Sequence, residues 1–468
     1  MSASAPATKP ASPQPPPPQP TGAAAARRYR SWGGYPPARH RAVLPVASAA
    51  APPDLAAVPG TVLPFAYGRS YGDSCLSDGG TLLDVRALDG ILDLDEEAGL
   101  LRCEAGTTLA SILAHVVPRG WFLPVVPGTQ QVSVGGAIAN DIHGKNHHRV
   151  GTFGRHVAGF ELLRSTGERL RCAPDENAEL FRATIGGLGL TGLVLRAELR
   201  LRRIAGPRIA TERIRFGSLD EFFALSAESD RDFEYTVAWI DTLARGRAMG
   251  RGVFLRGNHA EGPPAPARPP RRARLRVPFD PPARLLNPLT VRLFNATYWR
   301  VPPARRSARV VPYEPFFFPL DAVADWNRLY GGPGFLQYQC VVPPDGAREH
   351  VAELLARAAA SRAASFLSVL KWFGDVPSPG MLSFPRPGVT LTLDFAFRGA
   401  STLRLLDELD LIVERAGGAL YPAKDARMSP TTFQRCFPAW ERFAALADPK
   451  FSSSFWERVT APRAAACG

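Results

Sequence analysis

Residues 123–151 read LPVVPGTQQVSVGGAIANDIHGKNHHRVG. A Pro127-Gly128 turn, a Gly135-Gly136 pair and a polar run from His143 to His148 leave few bulky side chains to pack. Glycines 128, 135, 136 and 144 have no Cβ, so the main chain can approach a flat or phosphorylated ligand closely. Consecutive amides in turns also form concavities that hold anions. The stretch therefore predicts a ligand cradle built largely of backbone. His143, His147 and His148 have no accompanying carboxylate or thiolate ligand, so no metal is expected.

The flanking sequence predicts a mixed fold. From Val62 to Leu101, short apolar runs broken by Gly and Asp alternate at two-residue spacing, as strands do. Leu109 to Arg119 has helical spacing, closed by Pro118 and Gly120. Residues 157–174 predict two strands around a turn at Ser165-Thr166-Gly167, followed by a helix over Asn177–Thr184 and a strand over Leu193–Ile204. Gly187 to Gly192, GLGLTG, fits the formula GxGxxG, but a dinucleotide fold needs a strand before that loop and a helix after it. Here the order is reversed, and a tight turn is expected instead.

After Gly206 the pattern predicts strands over Phe233–Asp241, Phe335–Val342 and Val389–Phe397, and helices over Leu219–Ala227, Arg348–Ala360 and Ser401–Ala416. The fold class expected is α+β, without internal repeats. Residues 1–28, rich in Pro and Ala, lack the apolar groups needed to offset ordering and are expected to be a disordered tail. A first domain is placed at 29–206 and a second at 207–417.

Composition narrows the setting. No run of about 18 apolar residues suits a spanning helix, and the N-terminus has no apolar core of a secretory signal. Six scattered cysteines (75, 103, 172, 340, 436, 467) form no CxxC pair and read as reduced thiols. A cytoplasmic protein is expected. The net charge of +13 is concentrated: residues 268–309 hold eleven arginines and one acid, interleaved with Leu285, Leu286, Leu289, Leu293, Phe294, Tyr298 and Trp299. Such a segment suits an anionic membrane surface, peripheral to the inner membrane; the same composition also suits a solvated insertion. Nucleic acid is not expected, because no reader module accompanies the charge.

Four motifs in order carry a resemblance. They are Tyr67-Gly68-Arg69-Ser70-Tyr71-Gly72-Asp73, the 123–151 stretch, Gly334-Phe335-Leu336-Gln337-Tyr338-Gln339 and Leu420-Tyr421-Pro422-Ala423-Lys424-Asp425. Together they resemble the vanillyl-alcohol oxidase (PCMH-type) FAD-binding flavoenzymes, and within them the decaprenylphosphoryl-ribose 2-oxidases. The resemblance implies a two-lobed FAD-binding domain at 29–206, a substrate domain on an antiparallel sheet flanked by helices at 207–417, and a return of 418–468 to the first domain. It implies FAD contacts at Gly68, Arg69, Ser70, Tyr71, Gly72, Pro127, Gly128, Thr129, Val134, Gly135, Gly136, Ala139, Asn140, His143, Gly144, Asn146, Gly189 and Gly192. It further implies oxidation of a polyprenyl-phosphate ribose at C2, in the synthesis of an arabinose donor for the cell wall, and a short-chain reductase as partner.

Oxidising a carbinol requires a hydride acceptor, which no side chain supplies, and a base for the hydroxyl proton. By resemblance, Lys424, His143 and Tyr71 are the catalytic candidates. A lysine among apolar walls and other cations can release its proton near neutrality. Gln337 and Gln339 share one face of the strand FLQYQCVV, where two amides suit ribose hydroxyls. By resemblance Lys371 and Tyr421 join the substrate pocket, Lys371 as a cation for phosphate.

Two departures stand out. Thr390 and Thr392 occupy the substrate-site places where similar enzymes carry asparagine and cysteine. Arg69 stands where relatives with covalent flavin have histidine, so FAD is expected to be dissociable. An oxidase of sugar-1,4-lactones or alditols with the same flavin domain is the alternative, and a non-catalytic flavin module is a further one.

Overall fold

Val62–Phe65 (β2) and Ala42–Pro45 (β1) each pair in parallel with Thr81–Asp84 (β3) to form a small sheet. A second sheet is antiparallel throughout. It contains Ile91–Asp95 (β4), Leu100–Glu104 (β5), Val157–Leu163 (β6), Arg169–Cys172 (β7) and Leu193–Arg200 (β8), in the order β4-β5-β8-β6-β7. These two sheets are the lobes of the N-terminal half. The computed structural model describes residues 29–461, except 268, 270–272, 283–285, 302–303, 362, 364 and 366. The expected tail, parts of the 268–309 segment and Cys467 lie outside the described residues.

The helix Leu109–Val116 (α1) starts where the Thr108 hydroxyl accepts from the Ser111 amide. It tightens into a single 3₁₀ turn over 117–119 and ends on left-handed Gly120, at φ 78°. The 123–151 stretch is less loop-like than its composition suggests. Ser133 caps a short helix, Val134–Ala139 (α2), that contains both Gly135 and Gly136. The reason is packing, since a Cβ on Gly135 would lie 3.2 Å from the Ala105 Cβ and 3.3 Å from its carbonyl oxygen. Glycine here lets the helix sit against the end of β5. After the helix Ala178–Thr184 (α3), Leu188 (φ 56°) and Gly189 (φ 78°) make the turn expected in place of a dinucleotide loop.

The second half is built on eight antiparallel strands. They are Arg208–Phe216 (β9), Tyr235–Ile240 (β10), Gly252–Ala260 (β11), Arg306–Pro312 (β12), Phe335–Val342 (β13), Ser368–Phe373 (β14), Gly388–Ala396 (β15) and Ala419–Leu420 (β16). Their order is β12-β9-β11-β10-β14-β15-β13-β16. Leu219–Ser229 (α4), Ala347–Ala360 (α6) and Ala400–Arg415 (α7) supply apolar residues to the core on one face of this sheet. Between β11 and β12 lies Pro288–Arg300 (α5), started by an Asn287–Thr290 capping box with Pro288 in its first turn.

The C-terminal segment leaves β16 at the sheet edge and runs back onto the first half. The Tyr71 amide donates to the Ala423 carbonyl (2.8 Å), and the Arg458 guanidinium bonds both Asp73 and Asp425. No helix among the described residues is long and apolar enough to cross a membrane.

Candidate active site

A cavity of about 800 Å³ is lined by both halves of the molecule, a size within the range of roughly 300–1,000 Å³ typical of cofactor and ligand sites. Its first arm is the predicted cradle: Gly68, Arg69, Ser70 and Tyr71; Pro127, Gly128 and Thr129; Gly135, Gly136, Ala139 and Asn140 of α2; His143 and Gly144; then Gly189 and Gly192. Gly128 faces open space, with nothing within 4 Å of a Cβ built on it. Three residues expected here stand behind the wall. Gly72 is pressed against the Asp425 backbone, which any Cβ would strike. Val134 is wholly buried in the apolar core. Asn146 ties its loop down by donating to the Pro124 carbonyl (2.8 Å).

This arm fits FAD. Its glycines leave room for a large planar group, and the buried Ser74 hydroxyl and Arg69 Nε have no partner among the described residues. Buried polar atoms are seldom left so, and a polar ligand would satisfy them. Attachment is non-covalent: Arg69 cannot form a histidyl link, and the cavity thiol of Cys75 is pushed up to about 12 by burial, far from the nucleophilic thiolate.

At the polar end of the cavity the Lys424 Nζ lies 3.7 Å from the centre of the Tyr71 ring. Burial lowers Lys424 to about 7, against the pull of the Asp394 carboxylate, so near neutrality it is poised to accept a proton. The Tyr71 hydroxyl is raised by burial and then by Asp394, and it accepts from Gln337. The hydroxyl therefore stays protonated near neutrality.

β13 and β15 bring the two glutamines to this end, since Gln337 faces Asp394 and Gln339 faces Thr392 across the ladder. Both glutamines and Thr392 line the cavity. Thr390 does not; it stands one layer back, donating to the Cys340 carbonyl (2.8 Å) and accepting from the Gln339 amide (3.2 Å). Tyr421 stacks on Phe384 with centroids 4.6 Å apart and donates to the Asn140 carbonyl (2.8 Å). That bond joins the C-terminal segment to the end of α2.

His143 lies between Gln339 Nε2, 2.9 Å from its Nε2, and Lys371 Nζ, 3.1 Å from its Nδ1. Burial first, then Lys371, His147 and Lys424, push it well below the ordinary histidine range, so the ring is neutral. A neutral imidazole donates from one nitrogen only. Either Lys371 accepts as a free amine, or the Gln339 amide turns its oxygen to the ring. Lys371 is lowered to about 7 by burial and by Lys145 and Lys424, which favours the first arrangement.

Sequence reasoning passed over three features. Asp394, fully buried, accepts from Gln337 Nε2 (2.6 Å) and the Tyr330 hydroxyl (3.2 Å). Its signal was an acid ending the apolar run VTLTLD, opposite Gln337. Lys145 lines the cavity and donates to the Phe317 carbonyl (3.0 Å). The cavity also has an apolar arm of Val237, Trp239, Leu255, Phe294, Tyr298, Val311, Phe316, Phe317 and Val369, assembled from separate strands, α5 and the short helical turn Tyr313–Phe317.

Residues 56–173 match the family model of an FAD binding domain. Over 412 residues the chain is 36% identical to decaprenylphosphoryl-beta-D-ribose oxidase of Mycolicibacterium smegmatis, covering 85% of this chain and 89% of that one. An uncharacterised protein of the mprA 5′ region of Streptomyces coelicolor is 38% identical over 371 residues, 75% of this chain and 99% of its own. The human Delta(24)-sterol reductase is 32% identical over 111 residues, 24% of this chain and 22% of its own. An FAD-binding domain beside an antiparallel substrate sheet, with similarity spanning most of the chain, places this protein in the decaprenylphosphoryl-ribose oxidase family of FAD-dependent oxidoreductases.

Proposed function

We propose that this enzyme oxidises the C2 hydroxyl of a polyprenyl-phosphate β-D-ribofuranose to the 2-keto sugar. The observation that carries the reading is the convergence of Lys424, His143, Lys371, Gln337 and Gln339 on one cavity whose other arm is apolar and reaches α5. A sugar fits the polar end, and an isoprenoid chain fits the apolar arm. A soluble lactone or alditol would leave that arm without a ligand.

Bound FAD supplies the hydride acceptor. Lys424, as the free amine, takes the C2 hydroxyl proton as the C–H bond breaks, and Asp394 then steadies the resulting ammonium. Gln337 and Gln339 orient the ribose hydroxyls, each fixed by a second bond, to Asp394 and to Thr390 respectively. His143, held neutral, lines the same end and completes the hydrogen-bonding wall.

α5 exposes Leu289, Leu293, Phe294 and Tyr298, with Arg292 and Arg300 beside them, while Phe294 and Tyr298 also line the apolar arm. This arrangement supports docking of α5 on an anionic membrane, from which a lipid-linked substrate would enter. A short-chain reductase would complete the epimerisation by reducing the ketone. Anaerobic addition of polyprenyl-phosphoribose should bleach the flavin band; a failure to bleach, alongside rapid bleaching by sugar-1,4-lactones, would replace this reading by the lactone oxidase.

A further inference from the structure

Cations in this chain are overwhelmingly arginine: 51 against five lysines. Yet three of the five lysines, Lys145, Lys371 and Lys424, line one cavity. Lysine is a compact point charge that can give up its proton, whereas arginine stays charged and presents a planar fork. Such selective placement calls for a separate account of each lysine.

Lys424 is answered by Asp394. The other two have no such partner among the described residues. Lys145 Nζ donates to the Phe317 carbonyl, and Lys371 Nζ meets His143 Nδ1 and the Gly144 carbonyl, all neutral groups. Among the described residues no carboxylate shifts either lysine: burial alone lowers Lys145 to about 8, while burial, Lys145 and Lys424 lower Lys371 to about 7. Two buried amines with neutral partners hold a charge only at a cost unless an anion joins them. Lys145 also lies 5.9 Å and 5.7 Å from the Phe316 and Phe317 ring centres, beside the apolar arm, while Lys371 reaches His143 at the polar end.

We propose that Lys145 and Lys371 together form an anion subsite that grips the phosphodiester of the substrate between its sugar and its isoprenoid chain. The subsite rests on the polyprenyl-phosphate reading above and adds to it a residue, Lys145, and a place for the charge. One ammonium approaches the phosphate from the loop after α2 and the other from β14, so the sugar is drawn toward Lys424 while the chain follows the phenylalanines. Binding the anion also recharges Lys371, which is largely a free amine above neutrality, so association takes up a proton.

The test uses yellow holoenzyme with two probes, farnesyl methyl phosphate (a diester that does not titrate near neutrality) and farnesol. Calorimetry in buffers of different ionisation enthalpy reads both affinity and proton uptake. The wild type should bind the phosphodiester with net proton uptake above neutrality. Lys145→Met and Lys371→Met should each weaken phosphodiester binding at least tenfold and leave farnesol within twofold, and Lys145→Arg should recover most of the loss. Equal phosphodiester affinity in Lys145→Met and wild type would overturn the subsite. So would the absence of proton uptake by the wild type, a result that needs no variant to fold. Failure of the wild type to bind either probe would instead remove the isoprenoid reading itself, and the subsite with it.

Discussion

Replacing Leu289 and Leu293 by serine tests the proposal that α5 docks on a membrane. Both lie on α5 and are unusually open for leucine, 76% and 70% exposed. Burying a whole leucine side chain is worth about 1.5–3 kcal/mol. Scaled by exposure, the pair can contribute about 3 kcal/mol on entering a bilayer, which corresponds to about a hundredfold in partitioning. The arginines around them add about 1 kcal/mol each, but only on anionic lipid. Because neither leucine is packed, the double variant should keep its folding stability to within about 0.5 kcal/mol. Sedimentation with phosphatidylglycerol vesicles should therefore show binding weakened by about two orders of magnitude at unchanged melting temperature. Binding of the double variant equal to that of the wild type would refute the assignment of α5 as the membrane face, whatever the activity.

Other expectations follow from the site. Lys424→Ala should leave yellow holoenzyme that substrate no longer bleaches; normal bleaching would remove Lys424 from the reaction. In the proposed reaction Lys424 works as the free amine, and burial lowers it to about 7, so the rate of flavin reduction should rise with pH through that region and then level. Asp394, itself raised to about 7 by burial, favours the ammonium once it ionises; Asp394→Asn removes that charge, so this rising limb should move to lower pH, and an unmoved limb would deny the coupling. Acid precipitation should release all the yellow colour into solution, and colour retained on the polypeptide would contradict non-covalent FAD.

Much of the site is legible in local sequence because local backbone geometry makes it. Glycines 68, 128, 135, 136, 144, 189 and 192 mark where a chain must come close to something, and all line the cavity. Gly72 carries the same mark for another reason, since what approaches it is the Asp425 backbone. The period-two pattern of FLQYQCVV places Gln337 and Gln339 on one face, and β13 is buried along its whole length. What sequence hides is pairing between distant strands. Asp394 gains meaning only opposite Gln337, and Lys145 only when β14 brings Lys371 to the same cavity. Strands β9 and β12 escape the apolar pattern because arginines and a glutamate, many of them only partly exposed, interrupt their apolar residues near the sheet edge, as in the Glu212–Arg306 pair. The apolar arm is drawn from segments more than a hundred residues apart and leaves no contiguous trace.

By the proposed function, FAD held in the N-terminal arm and the Lys424 cluster act together on a lipid-linked ribose. Anaerobic stopped-flow mixing of the holoenzyme with polyprenyl-phosphoribose measures this directly. Loss of the flavin absorbance on a single-turnover timescale, with equimolar 2-keto product, is the predicted result. An undiminished band over the same interval, in protein whose FAD is reduced readily by dithionite, would contradict it.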